Sequence, residues 1–417
     1  MPGPFEGLRV IEFGRFIAAP YCAQLLADGG ADVIKVEPVE GDATRRNGPV
    51  IPGEARQYLN KNRGKRSMAV DLSNPEVLAG VRRLVHGADV VITNFRPGQA
   101  KRFGLDYESV SAVNPRVVYA ENTAFGEDGP MAGAPGMDII VQAYTGLSQF
   151  TANGPIPPVD PLVDYGAALL LAWGISTALY HRERSGRGQK LNVSLLQAAL
   201  VLQNNHLNHI DVIDGWRHEF VEYLKTAFVE GKSWAEVLAH RQSLLPDAFG
   251  RAYYGFFATC DGTIAIAAGG RPNQLRMLKL LDLEDRWVTE PGWLPEDGRA
   301  HAERMHERVA SKLREQTSEY WLRAFTEAGI PAAPVRMKDE VLEDRQAWEN
   351  GFYVRLEHEL VGGLTVVAPP VVFSETPLAA KDPPPPLGKH TRELLVEAGL
   401  DEEAIDRLAA AGAVAVG

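Results

Sequence analysis

Cysteine is nearly absent: Cys22 and Cys260 are the two thiols in a chain of 417 residues. A pair so far apart supports neither a disulfide framework nor a thiolate metal site, and the expectation is a reducing, cytoplasmic setting. Also missing is an uninterrupted apolar run of the roughly 18 residues that a membrane helix requires. The opening MPGPFEGLRVIEF has no basic stretch ahead of an apolar one, so the expectation is an unexported protein with no membrane partner. Positive charge is in deficit, with 43 Lys and Arg against 54 Asp and Glu. A net charge of −11 argues against nucleic acid as a general partner. No GxGxxG occurs, so a nicotinamide or flavin dinucleotide site of the usual kind is not expected.

What is present is the composition of a folded globular chain, 45% hydrophobic and 23% charged. Its length predicts two domains. From Gly7 onward strand and helix alternate. LRVIEF (residues 8–13) reads as a short strand, PYCAQLLADGG as a helix stopped by Gly29 and Gly30, and residues 33–36 as a second strand. RSMAVDL is a further strand, followed by a helix capped by Ser73 or Asn74 with Pro75 at its first position. Gly87-Ala88-Asp89 then repeats the helix-to-strand junction ahead of a strand over residues 90–94. This β–α–β order predicts a parallel sheet covered by helices, with ligands beyond the carboxyl ends of the strands. Three turns qualify: the one holding Phe16, Ile17 and Ala18; Asn94-Phe95-Arg96-Pro97-Gly98; and Thr123-Ala124-Phe125-Gly126. Although the chain is acidic, residues 1–104 hold 15 Lys and Arg against 11 Asp and Glu. These bases cluster at Arg45-Arg46, at Arg63, Lys65 and Arg66, and at Lys101-Arg102. Loop cations of this kind favour a phosphate-bearing nucleotide ligand.

In the stretch PLVDYGAALLLAWGISTALYHRERSGRGQKLNVSLLQ (161–197), Asp164 is the one acid that reads as buried, directly ahead of an apolar run with no charge before His181. Two readings stand side by side: a helix cap that accepts first-turn N–H groups, or a reactive carboxylate at the positive end of the helix dipole. Gly166 beside it predicts room for a ligand, and apolar character on every face predicts a helix enclosed by protein. Farther on, His206 and His209 stand three apart without a third ligand at metal spacing, so no metal site is expected. Residues 210–245 read as a polar connector without a strong period. Residues 253–270 read as a hairpin turning at Asp261-Gly262. Helices follow at 274–281 and 300–328, the latter broken near Thr317-Ser318, and a last amphipathic helix breaks at Gly399.

Taken together, GLRVIEFGRFIAAPYCAQLLADGGADVIKVEP, NKNRGKRSMAVDL, NFRPGQAKRFGLDYESV, NPRVVYAENTAFGEDGP, SGRGQ and PLGKHT resemble the class III CoA-transferases over nearly the whole chain. The resemblance implies that Asp164 is the catalytic aspartate, cycling through an acyl anhydride and an aspartyl-CoA thioester. It implies CoA contacts from Phe16, Ile17, Ala18, Val70, Ser73, Asn94, Phe95 and Arg102. Pro38 and Ser73 stand where formyl-CoA transferases have an arginine and a lysine, so Arg45, Arg46 or Arg66 is expected to take over phosphate binding. Asp138 matches an acidic active-site position. Met137 stands where the family's racemases have a proton-exchanging histidine, which favours transfer over racemisation; an isomerase or hydro-lyase acting on acyl-CoA and a CoA-binding protein without chemistry stand as the alternatives. Substrates are then acyl-CoA and a carboxylic acid, with no tightly bound cofactor. The implied fold is α/β: a Rossmann-like parallel-sheet large domain and a smaller α+β domain, forming a ring-shaped subunit in an interlocked homodimer. Residues 1–209 open the large domain, 210–223 form a linker, 224–335 the small domain, and 336–417 a linker and the return to the large domain.

Overall fold

The structure, a computed structural model, describes residues 2–245 and 252–417. The chain divides into two compact units, Met1–Val212 with Gln346–Gly417, and Ile213–Arg345. The larger unit is built on seven strands: β1 (Arg9–Glu12), β2 (Asp32–Glu37), β3 (Lys65–Val70), β4 (Val90–Thr93), β5 (Val118–Thr123), β6 (Gln189–Ser194) and β7 (Val414–Ala415). Their spatial order is β6-β5-β4-β1-β2-β3-β7. The first six are parallel, and β7 joins β3 antiparallel.

Both sheet faces are covered, which is why the central strands are short runs of Val and Ile rather than alternating patterns. One face packs Ile11, Ile34, Met68, Val91 and Tyr119 against helix Pro75–His86 and the C-terminal helices Thr391–Glu397 and Glu402–Ala410. The other packs Val10, Val33, Val90, Ile92 and Val118 against two long helices. Four helices matter for the site: α1 (Ala18–Asp28), α2 (Asp138–Tyr144), α3 (Leu162–Ser185) and α4 (Leu195–Leu202). The sheet order reverses at β1, with β2 on one side and β4 on the other. At such a reversal the loops leave the strand ends in opposite directions and open a crevice. The turns after β1 and β4 meet there.

The early elements lie close to where the pattern puts them, and Asn74, not Ser73, caps helix Pro75–His86 with its side-chain oxygen. α3 departs from expectation. Val163, Ala167, Ala168, Leu171, Ile175 and Ala178 are buried, but Leu162, Leu169, Trp173 and Tyr180 form an exposed stripe, Trp173 at 70%. The helix is not enclosed within the single chain, because the sheet covers one side of it. Its mean hydropathy of 1.5 over 18 residues is also high enough for a membrane span by length and composition alone, contrary to the count of uninterrupted apolar residues. Burial inside the protein accounts for 39% of that window.

The smaller unit holds the antiparallel hairpin Tyr254–Ala258 and Thr263–Ala267, extended by Ala332–Pro334. Phe257, Ile264, Met277, Leu313, Trp321 and Phe325 form its core. The expected connector over 210–245 instead contains helices Gly215–Ala227 and Trp234–Leu244, the second started by a Ser233/Glu236 capping box. Each buries a single side chain, Ala227 or Val237, so neither leaves an apolar period in the sequence.

Candidate active site

The start of α3 is organised by an acid from another helix. Asp138, buried at the first position of α2, accepts the backbone N–H groups of Val163 at 2.9 Å and Asp164 at 3.0 Å through Oδ2. Its Oδ1 takes the side-chain amide of Gln142. The cap position itself is Pro161, which offers no side-chain acceptor. Asp138 therefore does the capping from 25 residues away, and the reading of Asp164 as the cap is corrected. Asp164 sits inside the first turn. Its carboxylate is partly buried and has neither a hydrogen-bond donor nor an ion pair among the described residues. Burial first, and the neighbouring Asp138 carboxylate second, push its carboxyl up to about 7, with Lys61 pulling the other way. Gly166 serves packing rather than access. A Cβ there would stand 3.2 Å from Leu202 Cδ1 and 3.9 Å from Ala198 Cβ, so the glycine seats α3 on α4.

The turn after β1 is strained and held from two sides. Phe16 has φ +66, a left-handed conformation unfavourable for a bulky side chain. The peptide of Arg15 is clamped by Asn94: its N–H donates to Asn94 Oδ1 at 3.0 Å, and Asn94 Nδ2 donates back to Arg15 O at 2.9 Å. From below, Lys35 Nζ donates to Gly14 O at 2.8 Å. Lys35 is fully buried and ion-paired to Glu12 and Asp42, each at 3.1 Å, while the other oxygen of Glu12 holds Lys65 at 2.7 Å. A Cβ on Gly14 would lie 2.7 Å from Glu12 Oε1 and 2.6 Å from Ala19 Cβ, so only glycine fits at the head of this turn.

At the carboxyl ends of β1 to β4 lies a cleft of about 260 Å³ whose lining includes Phe13, Arg15, Val70, Ser73, Phe95 and Phe103. Phe95 packs on Phe13 with centroids 5.3 Å apart and on Phe103 at 6.3 Å, giving the cleft an aromatic wall. Ser73 Oγ donates to Asp71 at 2.7 Å. Arg96 and Arg102 are exposed, the latter with its guanidinium carbon 5.4 Å from the Phe103 ring centroid. On the Asp164 side, Ala18 and Phe125 share an apolar cluster with Val141 of α2 and Val163 of α3. Gly136 lies so close to Ala124 that a Cβ would be 2.5 Å from the alanine methyl. Gly126 leaves this turn at φ +97 with its N–H on Thr123 Oγ1 at 3.2 Å. Met137, 52% exposed, flanks Asp138. Among the described residues no group of three or more His, Cys, Asp or Glu side chains gathers to hold a metal ion.

Residues 5–391 match the model of CoA-transferase family III. The chain belongs to that family. It is a CoA-transferase, and known proteins of that activity resemble it end to end. A succinate–glutarate CoA-transferase of Agrobacterium fabrum is 33% identical over 411 residues, covering 94% of this chain and 95% of that protein. The human succinyl-CoA:glutarate CoA-transferase is 31% identical over 418 residues, covering 99% and 90%. The crystal structure of Rv3272 from Mycobacterium tuberculosis superposes with a TM-score of 0.76 at 27% identity, covering 94% of this chain and 99% of that one. A CAIB/BAIF family protein from Brucella suis gives 0.74 at 28%, covering 95% and 100%.

Two of the arginines expected to bind phosphate in this transferase are occupied elsewhere. Arg45 is enclosed: it takes both oxygens of Glu37 at 2.9 Å, Glu54 at 3.0 Å and Pro385 O at 3.1 Å, and lies 3.5 Å over the Tyr58 ring. Arg66 spans Asp32 at 2.8 and 2.9 Å, Glu393 at 2.8 Å and Glu397 at 2.7 Å. With their donors taken by carboxylates, neither is a phosphate ligand, and both expectations are corrected. Arg46 stays exposed, donating to Glu40 O at 2.7 Å. Two cations escaped the sequence reading. Arg15 lines the cleft with no acid partner among the described residues; its place right after the glycine of the first strand-end turn was the available signal. Lys61 is 1% exposed. In NKNRGKRS it looks like one more surface base, and nothing in the spacing singles it out.

Proposed function

We propose that this transferase moves CoA from an acyl-CoA thioester to a carboxylic acid through Asp164. An oxygen of the Asp164 carboxylate attacks the thioester carbonyl, the C–S bond breaks, and an acyl-aspartyl anhydride and CoA thiolate result. The thiolate attacks the aspartyl carbonyl, releasing the donor acid and leaving an aspartyl-CoA thioester. The acceptor carboxylate displaces CoA to form a second anhydride, and the thiolate then attacks the acceptor carbonyl, giving the new acyl-CoA and free Asp164. The observation that carries this reading is the unpaired, partly buried carboxylate of Asp164 beside a helix start that Asp138 already caps. Because Asp164 has no capping duty, its carboxylate is available for chemistry.

CoA in this reading enters the cleft at the strand ends, its adenine near Val70 and Ser73 and its chain passing Phe95, Asn94 and the Phe16–Ile17–Ala18 turn. Arg15, Arg46, Arg96 and Arg102 hold phosphate in place of Arg45 and Arg66. Ala124, Phe125 and Gly126 add to the CoA site, while Met137 and Asp138, with Phe16 and Ile17, line the acyl end. The relatives named for succinate and glutarate favour dicarboxylic acids as donor and acceptor. Racemisation, the second reading, needs a proton-exchanging pair, and the thioether of Met137 cannot carry a proton. We further assign a homodimer, interlocked as the family resemblance implies, with the 1–209, 210–223, 224–335 and 336–417 organisation and a cytoplasmic location.

The test is chemical trapping. Succinyl-CoA without acceptor should leave a covalent adduct on the peptide containing Asp164, cleaved by hydroxylamine and identified by mass spectrometry. Asp164→Asn should bind CoA but lose transfer by at least about a thousandfold, since an amide does not attack a thioester. A folded Asp164→Asn protein with near-normal transfer overturns the mechanism.

A further inference from the structure

Lys61 is a buried ammonium with an unusual set of partners. Its Nζ donates to Gln57 O and Gln57 Oε1, both at 3.0 Å, and to Asn60 Oδ1 at 2.7 Å. All three acceptors are neutral, and no carboxylate lies within ion-pair distance of it among the described residues. The other buried lysines of this unit differ: Lys35 and Lys65 are both paired with Glu12. An isolated charge so deeply buried is costly unless an opposite charge stands nearby. The nearby anions are Asp164 and, more weakly, Asp42, and Asp164 is the partly buried acid that lacks a partner of its own. The local fold holds Lys61 in this place. Asn62 next to it accepts from Lys65 Nζ at 2.8 Å, the same ammonium donates to Pro20 O in α1 at 2.8 Å, and the following Tyr21 packs its ring edge-on to Tyr165, the neighbour of Asp164, at 5.0 Å.

Resting on the assignment of Asp164 as nucleophile, we propose that Lys61 is a positioning residue whose charge, acting on Asp164 from outside ion-pair distance, favours its ionised form and so readies it to attack. The neutral acceptors matter to this role. A direct ion pair would engage the carboxylate oxygens that must reach the thioester, whereas an ammonium tethered to Gln57 and Asn60 supplies field without occupying them.

Other charges near Asp164 do not serve. Asp138 on α2 opposes ionisation. Tyr21 and Tyr165 are neutral, with burial raising both hydroxyls, and the Cys22 thiol is likewise driven up by burial. Asp28 on α1 is paired with Arg63 at 2.7 Å. On the neighbouring strands, Lys65, which burial also lowers to about 8, is paired with Glu12 at 2.7 Å, and Glu121 is paired with Lys190 at 2.8 Å. α4 has no titratable side chain.

The pH dependence of kcat/KM tests the proposal. The wild-type profile should be bell-shaped, rising through about 7 as Asp164 ionises and falling near 8 as Lys61, held down by burial, loses its proton. Lys61→Met should remove the alkaline limb and move the acid limb up by about one pH unit, a loss near tenfold at pH 6, with the dissociation constant for CoA unchanged. Lys61→Arg should keep the acid limb in place and carry the alkaline limb beyond pH 10, because a guanidinium stays charged. A folded Lys61→Met enzyme with the wild-type profile overturns the proposal. Should that variant not fold, Lys61→Arg decides: an alkaline limb still near 8 overturns it, and its disappearance supports it. The adduct-trapping experiment keeps the two ideas apart. A wild-type adduct on Asp164 with unmoved limbs sinks the role of Lys61 alone, and absence of the adduct sinks both.

Discussion

At the scale of single residues, Asp164 couples activity to instability. Its folded-state carboxyl lies near 7, above the ordinary value of about 3.8, so between these pH values the folded chain holds a proton that the unfolded chain releases. Stability contributed by this group therefore falls as pH rises from about 4 to 7 and is flat above that. Asp164→Asn does not titrate. It should be more stable than wild type by about 1–2 kcal/mol at pH 8, with the gap closing toward pH 4, as read from paired urea melts. An equal or lower stability of the variant at pH 8 contradicts the placement of a buried, unpaired charge there. The same scale explains why the phosphate-binding arginines were misread. Arg45 and Arg66 have the sequence context of loop cations, yet their partners Glu37, Glu54, Glu393 and Glu397 are brought in by tertiary structure, two of them from more than 320 residues away.

At the scale of elements, the decisive unit is the pair α2–α3. A cap delivered from a different helix leaves no mark in the sequence around Pro161, and the local pattern pointed to Asp164 instead. Replacing Asp138 separates its two effects. Asp138→Ala removes the acceptor for Val163 and Asp164 N–H and should cost about 1–2 kcal/mol. Asp138→Asn keeps an oxygen there but removes the like charge, so Asp164 should ionise more readily and the acid limb of kcat/KM should move to lower pH. An unmoved limb in a folded Asp138→Asn enzyme would show that the two carboxylates do not sense one another. The strands and the first helix were legible because each carries its own period and its own stop, such as Gly29 after Asp28. Helices Gly215–Ala227 and Trp234–Leu244 were not, since each buries one residue and so repeats nothing.

At the scale of the whole molecule, Leu162, Leu169, Trp173 and Tyr180 leave one side of α3 apolar and uncovered, the kind of surface that marks an interaction site. If a second copy covers it, Trp173→Glu should shift the protein from dimer toward monomer or aggregate in light-scattering chromatography, while Trp173→Phe should remain dimeric. A monomeric wild type would remove this assignment. The parallel sheet and its crevice were readable from strand–helix alternation and the turns after β1 and β4, whereas nothing in composition marks which apolar helix face lacks a cover.

The returning segment has a further consequence. One face of the sheet is closed by Leu394, Leu395, Ile405 and Leu408, residues translated long after β1 to β6 and separated from them by the whole of the smaller unit. At about 5–20 residues per second, roughly ten seconds or more pass on the ribosome between the last parallel strand and the helices that cover it. During that interval helix Pro75–His86 alone cannot close that side of the nascent sheet, which stays partly bare, so production of this enzyme should depend on holdase chaperones more than its finished architecture suggests.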